Sequence, residues 1–119
     1  MDVYHIWFDL KPGVRDTEFA ASARAYLDRL REAGNLVSYR LTRRKLGLGP
    51  PQLREWHVAI DFENLTQLDA AFDQVSARAD PVESFHHAVN SKVENAFFAL
   101  YGIATASWAD RTALRRASG

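Results

Sequence analysis

Trp56-His57-Val58-Ala59-Ile60-Asp61-Phe62 repeats the pattern of Tyr4-His5-Ile6-Trp7-Phe8-Asp9-Leu10. Both segments alternate with period 2, the mark of a strand with two unlike faces. One face is wholly apolar: Tyr4, Ile6, Phe8 and Leu10 in the first copy, Trp56, Val58, Ile60 and Phe62 in the second. The other carries His5, Trp7 and Asp9, answered by His57, Ala59 and Asp61. Each copy runs into an amphipathic helix, so the chain reads as a duplicated strand–helix–strand unit.

The first strand, Val3 to Leu10, ends at the turn signal Lys11-Pro12-Gly13. Asp16 or Thr17 is placed to cap the next helix, whose buried stripe is Phe19, Ala23, Tyr26, Leu27 and Leu30. Gly34 suits the position just past its end, because glycine accepts positive φ. A second strand follows from Leu36 to Leu46, with Val37, Tyr39 and Leu41 on one face. Gly47-Leu48-Gly49-Pro50-Pro51 then reads as a surface loop. The third strand spans Arg54 to Phe62, and Asn64 with Gln67 forms a capping-box pattern for the second helix. Leu65, Leu68, Phe72 and Val75 mark that helix's apolar face. Asp80-Pro81 ends it and starts a short helix with Val82, Phe85, His86 and Val89 inward. A fourth strand lies within Val93 to Tyr101. Residues 110–119 read as a frayed tail beyond a single domain over 1–109.

At 119 residues, with 47% hydrophobic content, the chain suits one globular domain with a true core. Fifteen basic residues balance fifteen acidic ones, so no global field points to nucleic acid or an anionic membrane as partner. The absence of cysteine excludes disulfides, thiol nucleophiles and thiolate metal sites. No apolar run reaches membrane-spanning length and no signal-peptide pattern opens the chain. The default expectation is a soluble cytoplasmic protein.

Two β-α-β units in tandem predict an α+β, ferredoxin-like β-α-β-β-α-β antiparallel sheet in spatial order 4-1-3-2, with the helices on one face. The apolar sides of strands one and three belong beneath those helices. The opposite face then carries Trp7, Ala59 and Phe97 or Phe98 with nothing to cover them. Such a patch marks an interaction surface, and the economical cover is a second copy of the chain. In this arrangement, with His5 in the opening strand, Lys11-Pro12-Gly13 before the first helix, and Asp80-Pro81 followed by His86, the chain resembles the dimeric α/β barrel proteins. Among them it is most similar to the stress-responsive α/β barrel domain, whose late motif reads His-Pro where this chain has Asp80-Pro81. The resemblance implies a homodimer closed through the sheet faces. Its implication for activity is open, since that superfamily includes monooxygenases, haem-handling enzymes and proteins of unknown role.

The candidate catalytic residues are His5, His57, Asp9 and Asp61. If the duplication is symmetric in register, His5 lies opposite Asp61 and Asp9 opposite His57, close enough for crossed His–Asp hydrogen bonds. A carboxylate on one ring nitrogen would leave the other as a general base; equally, such pairs satisfy polar groups in a wet interface. His5 and Asp9 are four residues apart on one strand, about 13 Å, so they cannot share one ion, and no metal site is expected. No cofactor is expected either. Trp7, Tyr39, Arg40, His86 and Phe97 are the candidate ligand-binding residues, the aromatic ones lining a barrel interior. His86 and His87 point about 100° apart on a helix, and His86 is the one compared with an iron-binding histidine in haem-degrading relatives. Arg40, Arg43, Arg44 and Lys45 read mainly as protection of an edge strand.

Three functions fit these residues. The first is a dimer that binds a small apolar or weakly acidic molecule inside the barrel. The second is a cofactor-independent monooxygenase or isomerase with a histidine base. The third is a structural dimer without ligand.

Overall fold

Strand β1 (Asp2–Leu10) and strand β3 (Trp56–Phe62) lie side by side and antiparallel, as two strands sharing one apolar face require. The computed structural model describes residues 1–76 and 89–104. Within them, α1 (Asp16–Glu32) and β2 (Ser38–Arg43) follow β1, and α2 (Leu65–Ser76) and β4 (Val93–Gly102) follow β3. The sheet order is β2-β3-β1-β4, all neighbours antiparallel, which is the expected order read from the other edge. The short helix expected from Pro81 with Val82, Phe85 and His86, and the tail from Asp110, lie outside the described residues. Val89, expected on the inward side, does pack against the core.

The alternation in β3 is complete: Trp56, Val58, Ile60 and Phe62 are buried while His57, Ala59 and Asp61 are half-buried. The buried set meets Phe19, Ala23, Leu27 and Leu30 of α1 and Leu68 and Ala71 of α2 in one core. Both helices therefore cover the same side of the sheet. Phe19 is the most enclosed large side chain at 1% exposure, with ring centroids 5.4 Å from Phe8 and 5.2 Å from Trp56 in edge-on contact. The Trp56 indole N–H is buried without a partner, and the Arg43 guanidinium lies 5.3 Å over the same ring.

Local signals set the helix ends, with one exception. Gly34, at φ 79°, donates to Arg31 O at 3.0 Å, and Asn35 N–H donates to Leu30 O at 2.9 Å. Together they form the Schellman close that glycine favours. Asn64 Oδ1 accepts from Gln67 N–H at 2.9 Å, while Gln67 Oε1 accepts from Glu63 N–H at 2.7 Å, so the capping box reaches back one residue further than the simple pattern. The exception is α1: Arg15 is its N-cap without a side-chain bond, and Asp16 is its first residue. Asp16 accepts from Thr17 N–H at 2.8 Å and pairs with Arg43. These contacts hold its carboxyl below the usual carboxylate range, the Thr17 bond contributing most. β2 is shorter than expected at both ends: it starts at Ser38 and stops at Arg43, ahead of the turn where Leu46 and Gly47 take positive φ.

The β1–β4 ladder shifts register between Trp7 and Asp9. The irregularity centres on Asn95 at φ 56°, a left-handed conformation that asparagine tolerates better than branched residues. Core packing makes a direct prediction. Phe19→Ala should lower unfolding stability by about 3–5 kcal/mol, read as a fall in the denaturant midpoint at unchanged slope; a loss well under 1 kcal/mol would show that the site collapses without cost.

Candidate functional site

The face of the sheet turned away from the helices is ordered in rows by the strand register. Phe97, Trp7, His57 and Thr42 form one row across β4, β1, β3 and β2. Ala99, His5, Ala59 and Arg40 form the next, and Tyr101, Val3, Asp61 and Ser38 a third. Trp7 lies parallel to both row neighbours, with centroids 4.8 Å from His57 and 5.3 Å from Phe97. Among the described residues no helix covers this face, hereafter the bare face, and it carries an aromatic and histidine stripe. Phe97 belongs to it, whereas Phe98 pairs with Ile6 and faces the helix side.

The crossed His–Asp pairs do not form. His5 lies opposite Ala59 and His57 opposite Trp7, a register two residues away from the symmetric one. A two-residue slip leaves every side chain on its own face, so alternation alone cannot detect it. Its effect is to bring the two histidines together, with His5 Nδ1 and His57 Nε2 2.9 Å apart. The rings are parallel within 8° with centroids 5.1 Å apart, so they meet edge to edge, one N–H donating to the other ring's bare nitrogen. The aspartates are occupied elsewhere: Asp61 accepts from Ser38 Oγ at 2.6 Å, and Asp9 is approached by Arg54, Glu55 N–H and Asn95 at 3.3–3.4 Å.

Burial, and to a lesser degree the neighbouring His5, lowers the His57 pKa below its ordinary 6.5. Arg40 lies on the bare face opposite Ala59 and is exposed. Tyr39 does not line that face. It pairs with Ile60 on the helix side and donates to Asp28 Oδ1 of α1 at 2.7 Å. Burial, followed by the Asp28 bond and charge, raises its pKa. His86 lies outside the described residues.

A second feature lies on the opposite side of the sheet. A cavity of about 330 Å³ opens between sheet and helices, lined by Tyr4, Ile6 and Phe8 of β1, Val58 and Ile60 of β3, Leu27 and Leu30 of α1, Phe72 of α2 and Phe98 of β4, among others. Its described lining is almost wholly apolar, with Tyr4, Tyr26 and Asn90 supplying the polar atoms. Tyr4 meets Phe72 edge-on at 5.3 Å and lies parallel to Phe98 at 5.9 Å, and burial raises its pKa. Nothing in the sequence marks this cavity, because its walls are the same residues that form the core. Only the spacing of the helices above the sheet separates a filled core from a hollow one. Among the described residues no three of His, Cys, Asp and Glu gather as a metal site, and no helix is long and apolar enough to cross a membrane.

The architecture is that of the ferredoxin-like α+β proteins. Similar solved structures include a protein from Arabidopsis thaliana, with TM-score 0.70, 8% identity, and coverage of 88% of this chain and 97% of that one. SnoaB, a cofactor-independent oxygenase from Streptomyces nogalater, aligns with TM-score 0.67 at 9% identity over 87% and 93% of the two chains. A dimeric ferredoxin-like protein of unknown function from Thermobifida fusca aligns with TM-score 0.59 at 16% identity over 87% and 92%. No curated protein matches this chain in sequence. The chain belongs to the family of unknown function DUF6614, with a match that spans residues 1–115.

Two predictions follow from the placement of these side chains. Tyr39→Phe removes one hydrogen bond and should cost about 0.5–1.5 kcal/mol of stability without changing the oligomeric state; a change in assembly would show that Tyr39 reaches the other face. Because His57 resists protonation when folded, the unfolded chain binds more protons just below pH 6.5. Stability therefore rises with pH through that window. The fall in melting temperature on acidification from about pH 7.5 to about 5.5 should shrink in His57→Gln, and an equal fall in both proteins would remove His57 as its source.

Proposed function

We propose that this protein is a homodimer, joined through its bare sheet faces, that holds a small apolar molecule in the cavity between sheet and helices of each protomer. The observation that carries the ligand reading is the cavity of about 330 Å³, within the size range of small-molecule sites and walled by aliphatic and aromatic side chains. Tyr4 and Asn90 fit a ligand with one or two hydrogen-bonding groups, and the described lining residues are otherwise nearly all apolar, which favours the apolar over the weakly acidic class. This location differs from the barrel interior expected for Trp7, Arg40 and Phe97, whose place in the proposal is the interface. Support for the dimer comes from the stripe of Trp7, His57 and Phe97 on an uncovered face and from dimeric neighbours of the same fold. The further likeness to the stress-responsive α/β barrel domain rests on His5 and the Lys11-Pro12-Gly13 turn.

Turnover is the second reading, favoured by the likeness to the oxygenase SnoaB. A base at His5 or His57 is separated by the sheet from a ligand in the cavity, so it would serve only a substrate held between two opposed sheets. Native mass spectrometry of the purified protein tests the proposal. The expected spectrum is a dimer carrying added mass, with the added mass lost in Ile60→Trp, which fills the cavity, and the dimer lost in Trp7→Arg. A dimer without added mass that also fails to bind the neutral apolar probe N-phenyl-1-naphthylamine saturably would establish a structural dimer instead.

A further inference from the structure

We propose that the His5–His57 pair makes dimerisation sensitive to pH: within the interface each neutral pair takes up at most one added proton, and a second added proton drives the rings, and with them the protomers, apart. The inference rests on the dimer reading above. Its basis is the 2.9 Å separation of His5 Nδ1 and His57 Nε2. With both rings neutral, one nitrogen donates and the other accepts. One added proton still leaves a donor and an acceptor along that line. When both rings are protonated, both facing nitrogens carry N–H groups, and two donors cannot occupy a hydrogen-bond distance. The pair must then open, across the two inner strands of the sheet.

Among the described residues no carboxylate hydrogen-bonds either ring. On β1, Trp7 lies beside both rings and Asp9 is engaged by Arg54, Glu55 N–H and Asn95. On β3, Asp61 accepts from Ser38 of β2. On β2, the Arg40 cation lies in the row of His5, and Thr42, opposite His57, donates to a backbone carbonyl. On β4, Glu94 lies opposite Asp9, and Tyr101 meets His5 edge-on at 5.1 Å. Asp61 and Arg40 place one negative and one positive residue on this face, in the row of Val3 and the row of His5 respectively. The Trp7 face favours one charge on the pair, and covering this face with a second sheet removes the water that would stabilise a second. The monomer keeps that water, so protons bind it better than they bind the dimer, and acid favours dissociation.

Dilution series followed by light scattering or sedimentation give the dissociation constant directly. Between about pH 7.5 and about pH 5.5 the wild type should dissociate at least roughly tenfold more readily. His5→Gln and His57→Gln, which keep a polar side chain but cannot take up the proton, should lose most of that dependence. A wild type that is monomeric at the higher pH defeats the dimer reading itself. A wild type that is dimeric with an unchanged constant at both values overturns the proton gate alone, as does an undiminished shift in both variants. Ring nitrogen NMR of the wild type reads the same point without substitution. One proton per pair should be taken up while the protein remains dimeric and the second only with dissociation; two full titrations within an intact dimer would overturn the proposal.

Discussion

Everything in this structure refers to the pairing of β1 with its neighbours. β1 is bonded on one side to β3 and on the other to β4, so its pleat decides which residues of three strands share a face. Tyr4, Ile6 and Phe8 align with Ile60, Val58 and Trp56, and this shared apolar surface is what the helices cover. His5 and Trp7 are forced by the same pleat to the other side, beside His57, Phe97 and the small residues Ala59 and Ala99. A slip by one residue would exchange the faces and expose the core. A slip by two changes no face and alters only which polar side chains meet.

That second kind of freedom shapes the chemistry. The observed register joins two histidines and leaves Asp61 to Ser38 and Asp9 to the neighbourhood of Arg54. A histidine backed by a carboxylate gains basicity, whereas one backed by another histidine acquires a proton-counting contact in which one charge weakens the next. The sheet also divides the molecule's possibilities in space. The apolar cavity belongs to the helix side and the titratable pair to the bare side. The cavity above Tyr4 and Ile60 offers shape and apolar contact, with few polar side chains in its described lining.

The structural neighbours share this fold at 8–16% identity. Identity that low with nearly full coverage is possible because the fold depends on a pattern of apolar alternation and helix ends, which many different residues satisfy. Sites depend on particular side chains, so the likeness reaches the architecture and stops there. SnoaB is an oxygenase and the Thermobifida fusca protein has no known role; the two have the fold in common with this chain.

The four strands, the two long helices, their order and the two faces of the sheet are all legible in the sequence. Period-2 alternation in Tyr4–Leu10 and Trp56–Phe62 marks each strand's apolar side, Gly34 closes α1, and Asn64 with Gln67 opens α2, all through contacts within a few residues along the chain. Tertiary structure decided what depends on residues far apart. The register of β1 against β3 is invisible to alternation, because a two-residue slip preserves every face, and so the His5–His57 contact has no local signature. Tyr39 shows the same limit: its aromatic character fits either side, and its pairing with Ile60 and bond to Asp28 turn it to the helices. The cavity is the furthest from reach, since Leu27, Ile60 and Phe98 read as core in any arrangement. Whether core residues touch or enclose a space depends on how high α1 and α2 ride above the sheet, a distance that only the packing of the whole domain sets.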